Sequence, residues 1–426
     1  MAHKISTIIV RTIVLITFLY NRTNTIDNAH FYRANYMWQE PRLPNEWLAS
    51  VDISIAGGST HTGRNTLQQK TNILGIYGPQ SLSTLGLNVP NLDPTHPLDA
   101  LLIALAALPT NGNFGKVALT GTFSIAESTL NVYQNLINGF FLQAYLPVRY
   151  LKIANIQYTD LSPDSGTPNS TTPEWQDFLL NMNAIFNRYG LEPLTTSGRS
   201  AGAGDFSILG GWAGNYLGTC HLDFIDVSAK FGGLFPTGRT RSLDNPFELP
   251  LGYNGHYGVP LKFDASIGLY EWITTGIHIG ALFLFESKQT LRMKTAAEQN
   301  GFIDLLVGKA SIDPGTLWDF AAYATADHFF KGLSLSVGYS FNKKDHDCIT
   351  PEDLTLFPSN VVNQDPLYKG WDMHVLHFMA EYDYAKEYCD IGPRIGFFYN
   401  YVVQGRRIFN TGMIQSYAGI DIAYVY

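Results

Sequence analysis

The sequence predicts an all-β fold, a transmembrane antiparallel up-and-down β-barrel of about twelve strands, and three observations predict it. Apolar and polar residues alternate strictly in run after run. The connections between the runs are long and short by turns. Aromatic residues make up 13% of the 426 residues and charged residues only 15%, well below the usual quarter.

The runs come in this order. Trp47, Ala49, Val51, Ile53 and Ile55 alternate with Ser50, Asp52 and Ser54. Val117, Leu119, Phe123 and Ile125 alternate with Lys116, Thr120, Thr122 and Ser124, and 132–146 reads as a weaker strand of ambiguous facing. The next runs start at Phe206, Ile225, Leu261, Ile277, Trp318 and Leu333. Residues 371–384 alternate with a slip near Val375–Leu376 that predicts a bulge. Ile395, Phe397, Tyr399 and Tyr401 form the penultimate run, and 413–426 the last.

Long connections fall near 59–113, 147–204, 236–258, 287–316, 342–370 and 404–412. Short ones fall near 127–131, 217–221, 271–273, 331–332 and 385–389. In an up-and-down sheet, alternate connections lie at opposite ends. Long extracellular loops, some with short helices, and short periplasmic turns are therefore expected, the pattern of transmembrane barrels. The count becomes fourteen if 72–78 and 149–158 also pair within the barrel.

A bilayer explains the pattern. Unpaired backbone groups in hydrocarbon cost several kcal/mol each, so a spanning sheet must close on itself. Side chains toward lipid must be apolar, and the alternate ones face the lumen. Trp47, Trp212, Tyr216, Phe235, Phe285, Tyr339, Phe341, Tyr384, Tyr401, Tyr424 and Tyr426 sit where interfacial girdles are expected. The N-terminal stretch MAHKISTIIVRTIVLITFLY reads as a signal peptide within residues 1–29, then a periplasmic lead-in over 30–46 and the barrel over 47–426.

The final stretch, YAGIDIAYVY, carries a resemblance. With Ile420, Ile422, Tyr424 and Tyr426 in one register, it resembles the ending of Gram-negative outer-membrane β-barrels of the porin-like kind, with Tyr in place of the commoner Phe. The resemblance implies a bacterial outer-membrane location and an ending read by the barrel-assembly machinery. It names no substrate family.

Charges in the lumen register are Asp52, Lys116, Asp226, Lys230, Lys262, Asp264, His278, Asp319, Asp327, Arg394 and Asp421. They read either as pairs filling a small barrel or as a polar channel wall, with a slight excess of acids. Two loop helices are expected, over 97–108 and from Thr172-Pro173 to Gly190, the second packed on other loops or folded into the lumen as a constriction.

Gly198-Arg199-Ser200-Ala201-Gly202 fits G-x-S-x-G, but its flanks lack the buried strand and following helix a nucleophile elbow needs. Asp372, His374 and His377 invite a metal reading, yet the two histidines are three apart on a strand and face opposite ways. Cys220, Cys348 and Cys389 show no metal spacing, and the two at short turns belong to distant strands.

No catalytic residue, metal or cofactor is expected, and the net charge of −8 argues against a nucleic-acid partner. The expected role is porin-like passage of small solutes. The alternative is a plugged barrel acting through its loops as adhesin, receptor or structural protein. Expected partners are outer-membrane lipid, the assembly machinery and small solutes, with homo-oligomer formation left open.

Overall fold

The computed structural model describes residues 47–108, 112–162, 172–219, 222–270, 272–330, 332–383 and 391–424. The expected signal peptide and lead-in, Cys220, Cys389, Tyr384 and Tyr426 lie outside the described residues.

Twelve barrel strands run among them. They are β1 (Trp47–Thr60), β2 (Lys116–Asn135), β3 (Phe140–Asp160), β4 (Phe206–Thr219), β5 (Leu222–Phe235) and β6 (Gly258–Leu269). The other six are β7 (Ile273–Leu284), β8 (Leu317–Phe330), β9 (Leu333–Lys344), β10 (Trp371–Asp383), β11 (Ile391–Arg406) and β12 (Met413–Tyr424). Each pairs antiparallel with the next, and β12 returns to β1 in register from Trp47↔Tyr424 to Gly58↔Met413. The sheet has no open edge at membrane level, as hydrocarbon demands.

Two short strands extend the wall above it. Gln80–Ser81 pairs with the start of β2, and Gly198–Ala203 pairs with Val148–Ile153 of β3. The second covers the stretch of β3 above its six paired positions with β4.

The first hairpin departs from expectation. No turn forms at 127–131, because β2 is a single strand of 20 residues. The turn lies at Asn138 and Gly139, both at positive φ (59° and 82°), where Asn-Gly is the natural hairpin pair. β3 then runs for 21 residues to Asp160, so 149–158 lies in the barrel as part of β3 and adds no strand. The long loop expected from 147 starts after that strand. Residues 73–75, within the apolar 72–78 stretch, form a 3-10 turn rather than a barrel strand.

A bulge lies at the expected level but on the partner strand, and β10 itself keeps one alternation with no slip at Val375–Leu376. β10 and β11 slip register between His374 and Val375, where the extra residue, Val403, sits on β11.

The outward face of the lower wall is apolar all round. Ile53, Leu142, Ile208, Phe263, Ile277, Val337, Phe397 and Ile420 are all exposed there. Trp212, Tyr216, Phe235, Phe285 and Tyr401 are exposed aromatics near strand ends. No helix among the described residues is long and apolar enough to cross a membrane; the strands are what a bilayer would surround.

The upper half of β2 reverses that facing. Val117, Leu119, Phe123 and Ile125, expected toward lipid, are buried inside at 0–6% exposure. Lys116, Thr120, Thr122 and Ser124 face out. Lower down, Leu130 and Val132 are exposed and Thr129 and Asn131 are buried. The apolar register thus changes sides within one strand. Its lower part meets lipid on the outside, whereas its upper part holds a protein core on the inside.

Candidate functional site: lumen wall and cap

That core belongs to the long loops. Ile73 and Leu102 from the first loop, Trp175 and Phe186 from the second, and Phe247 from the third join one buried cluster. Leu291 and Phe302 from the fourth, Phe357 from the fifth and Phe409 from the sixth complete it, along with Val117, Phe123, Leu151 and Met373 from the strands. Phe123 meets Phe409 at 5.0 Å between ring centres, and Trp175 stacks on Phe178 at 5.4 Å.

Two helices belong to the cap, α1 (Pro97–Ala106) and α2 (Pro173–Arg188). Pro sits in the first turn of each, where its missing N–H costs nothing. Arg188 of α2 donates twice to Asp99 of α1, both at 2.8 Å. That guanidinium holds the Asp99 carboxyl below its ordinary range. Helix α2 therefore packs on α1 and the other loops rather than standing free as a constriction.

Beneath the cap the wall is polar. Register pairs carry one inward face around the barrel, since directly opposed residues point the same way. On one side His278 lies between two carboxylates, with Nδ1 2.5 Å from Asp264 and Nε2 3.2 Å from Asp319. Ser228 donates to Asp264 at 3.3 Å. Lys230 and Lys262 share this face on adjacent strands.

Across the barrel, Arg394 bridges Asp52 and Asp421 at 2.9 Å each and donates to Ser50. Asn131 donates to Asp52, and Gln143 to Asn131, both at 3.1 Å. Asp226 accepts from Asn215, and Asp327 from Ser334.

Ten of the eleven lumen candidates thus lie on the inward face. Lys116 does not. It sits on the outward register at the top of β2, with its ammonium donating to the Gly112 carbonyl at 2.6 Å.

The inward face also carries charges the sequence reading passed over. Arg149 pairs with Glu127, both buried, and donates to the Leu251 carbonyl at 2.6 Å, tying β3 to the third loop. Glu381 accepts from the Tyr417 hydroxyl, and Asp383 lies opposite Arg394. Placing the hairpin at Asn138-Gly139 would have extended the inward register through Glu127 and Arg149.

The G-x-S-x-G segment is structural. Ser200 is buried on the short strand against β3, and its hydroxyl donates to the Leu249 carbonyl at 2.5 Å. His377 is buried between Ser340 and Asn400, at 2.7 Å from each, while His374 is on the outward register against Tyr339. They do not converge.

A closed antiparallel barrel with an apolar belt outside and charges inside is a membrane-spanning barrel of the bacterial outer-membrane class. No family model matches the chain, and comparison with curated proteins gives no match. Among solved structures it is similar to an outer-membrane channel from Pseudomonas putida F1, at 10% identity and a TM-score of 0.46, over 90% of this chain and 97% of that one. It is also similar to the NanC porin, at 9% identity and a TM-score of 0.31, over 73% and 99%. The Pseudomonas putida toluene transporter TodX matches at 9% identity and a TM-score of 0.32, over 93% and 95%.

Proposed function

We propose that this protein is an outer-membrane channel passing small solutes through a charged lumen beneath a folded cap. The lumen wall is the observation that carries the reading. Asp319 keeps 28% of its side chain exposed, and Asp421 and Arg394 keep 18% and 17%. An apolar filling would close the barrel without desolvating charge. Ionisable groups at membrane depth are characteristic of solute pathways. In this reading residues 1–29 direct export, outer-membrane lipid surrounds the belt, and Ile420, Ile422, Tyr424 and Tyr426 are read by the assembly machinery.

The shared core of the six loops favours a second reading, in which the cap is a folded extracellular surface for a receptor, adhesin or structural role. Single-channel recording in a planar bilayer separates the two. The channel reading expects discrete current steps, with larger or more frequent ones when Phe123→Ala or Phe409→Ala loosens the cap. Silence from all three proteins, each shown to be folded by heat-modifiable gel migration, overturns the channel and leaves the cap as the working surface.

A further inference from the structure

We infer that the outer wall of the barrel carries a lipid-phosphate site at the long-loop end, where Lys152 and Arg199 hold the phosphate headgroup of a lipid in the surrounding leaflet. The inference stands on the barrel and its apolar belt alone, whatever passes the lumen. Lys152 of β3 is directly opposite Arg199 of the short strand Gly198–Ala203. Both lie on the outward register, since their chain neighbours Leu151, Ile153, Gly198 and Ser200 are buried. Like charges directly opposed on two strands, with Cβ atoms about 4.5–5.5 Å apart, repel and weaken the pairing. Neither side chain has a hydrogen-bond or ion-pair partner among the described residues. Their surroundings supply no negative charge. The row continues to Ser124 of β2 and Ser59 of β1. Those two hydroxyls lie 3.2 Å apart, and Ser59 donates to the Phe123 carbonyl at 2.9 Å. The row below is Gly57, Ala126, Tyr150 and Ala201. Glu248, on the loop segment beside Gly198, is held by Arg239 at 2.7 Å. Other exposed lysines at this end have carboxylates of their own, Lys343 with Asp345 at 2.7 Å and Lys288 with Glu352 at 3.3 Å.

The height of the pair names its occupant. Phe140 and Trp212 are exposed opposite each other at the short-turn end of the belt. At about 3.3 Å per residue and a tilt of about 40°, the stretch of β3 from Phe140 to Lys152 rises about 30 Å along the membrane normal. That is the thickness of the hydrocarbon core. Leu142, Val148 and Tyr150 are exposed on the same outward face between those ends. The two cations therefore stand at the level of lipid phosphates, with Tyr150 and Val148 beneath them against the acyl chains. A phosphate between them replaces repulsion with charge-assisted hydrogen bonds, and the Arg199 fork matches two phosphate oxygens. The net charge of −8 repels anionic lipid from the chain as a whole. A preference for such lipid has to come from a local site.

The test is the association of spin-labelled phosphatidic acid, against spin-labelled phosphatidylcholine, with the mature full chain folded in phosphatidylcholine vesicles. The expected result is a several-fold preference for phosphatidic acid. Lys152→Gln with Arg199→Gln moves the ratio toward one, and Arg199→Gln alone moves it part of the way. Lys343→Gln, which removes a lysine already paired, leaves it unchanged. Neither Lys152 nor Arg199 belongs to the core, so the double variant keeps its heat-modifiable gel migration. With the opposed charges gone, its urea midpoint in pure phosphatidylcholine is unchanged or higher, whereas adding phosphatidic acid raises the midpoint of the parent and not of the variant. No preference, a preference that survives the double variant, or an equal loss with Lys343→Gln overturns the site. A midpoint that falls equally in both lipids makes the pair structural and overturns it too. Displacement of the labelled phosphatidic acid by inorganic phosphate at millimolar concentration assigns the pair to a soluble anion and overturns the lipid occupant.

Discussion

The Arg394 guanidinium lies 2.9 Å from the Asp52 carboxylate, joining β11 to β1 across the strand that closes the barrel. Gly419 of β12 is what lies between them. A Cβ built on Gly419 would overlap the Asp52 carboxylate oxygen, with the Arg394 guanidinium close behind. The same guanidinium reaches Asp421 on β12, so a single side chain ties both sides of the closing seam. Gly419→Ala is expected to push the pair apart and loosen the seam. Breaking a buried pair costs about 3–5 kcal/mol; this one is partly open to the lumen, so about 3 kcal/mol is expected. Urea unfolding of the barrel in lipid vesicles measures it. An unchanged midpoint would show that the seam is held by its backbone ladder alone.

The facing of β9 gives a second expectation. Val337 is 48% exposed on the lipid face, and Ser334 is 5% exposed on the lumen face beside Asp327. A lysine on the lipid face near the bilayer midplane costs about 2–4 kcal/mol. Val337→Lys should therefore lower stability in vesicles by about that amount. Ser334→Lys places its ammonium among carboxylates and should change stability little. Equal loss at both positions would reverse the assignment of the two faces.

Much of this was legible in the sequence, for one physical reason. At membrane depth an apolar side chain points to lipid and its neighbour to the lumen, so period-two alternation gives both strand and facing. Val337 and Ile395 read correctly on that basis. Phe123 did not. It alternates as cleanly as Val337, yet the apolar surroundings it meets are the loop core, not lipid. Alternation tells that one face is apolar and not what covers it. The polar run around Glu127 likewise read as a turn, because the Arg149 that satisfies it is 22 residues away.

That distinction is testable. Phe123 is fully buried against Phe409, whereas Thr122 faces outward. Phe123→Ala should cost the cap about 3–5 kcal/mol. Thr122→Ala should change little. Hydrogen exchange of the cap amides, compared with those of β6 and β7 on the far wall, reads both. If Phe123→Ala loosened the far wall as much as the cap, the two would not be separable units.

The cap should also respond to pH. Asp365 of the fifth loop and Asp304 of the fourth are both buried in it. Burial pushes the Asp365 carboxyl up to about 6, against the pull of Lys294, Arg241 and Lys369. Burial, then the Asp365 charge, raises Asp304 as well, against Lys294 and Arg292. A carboxyl whose folded pKa exceeds its unfolded value holds its proton more tightly in the folded state, so folding is favoured as pH falls. For Asp365 the gain is fully present below its ordinary value of 3.8 and is lost as pH rises through about 6. Cap amides such as that of Leu367, which donates to Asp365 at 2.8 Å, should be better protected at pH 5 than at pH about 7.5, after correction for intrinsic exchange. Asp365→Asn keeps that acceptor and removes the titration. With Asp304→Asn added, the profile should become flat and protection near neutral pH should rise. An unchanged slope in the double variant would mean that these carboxylates do not set the pH response of the cap.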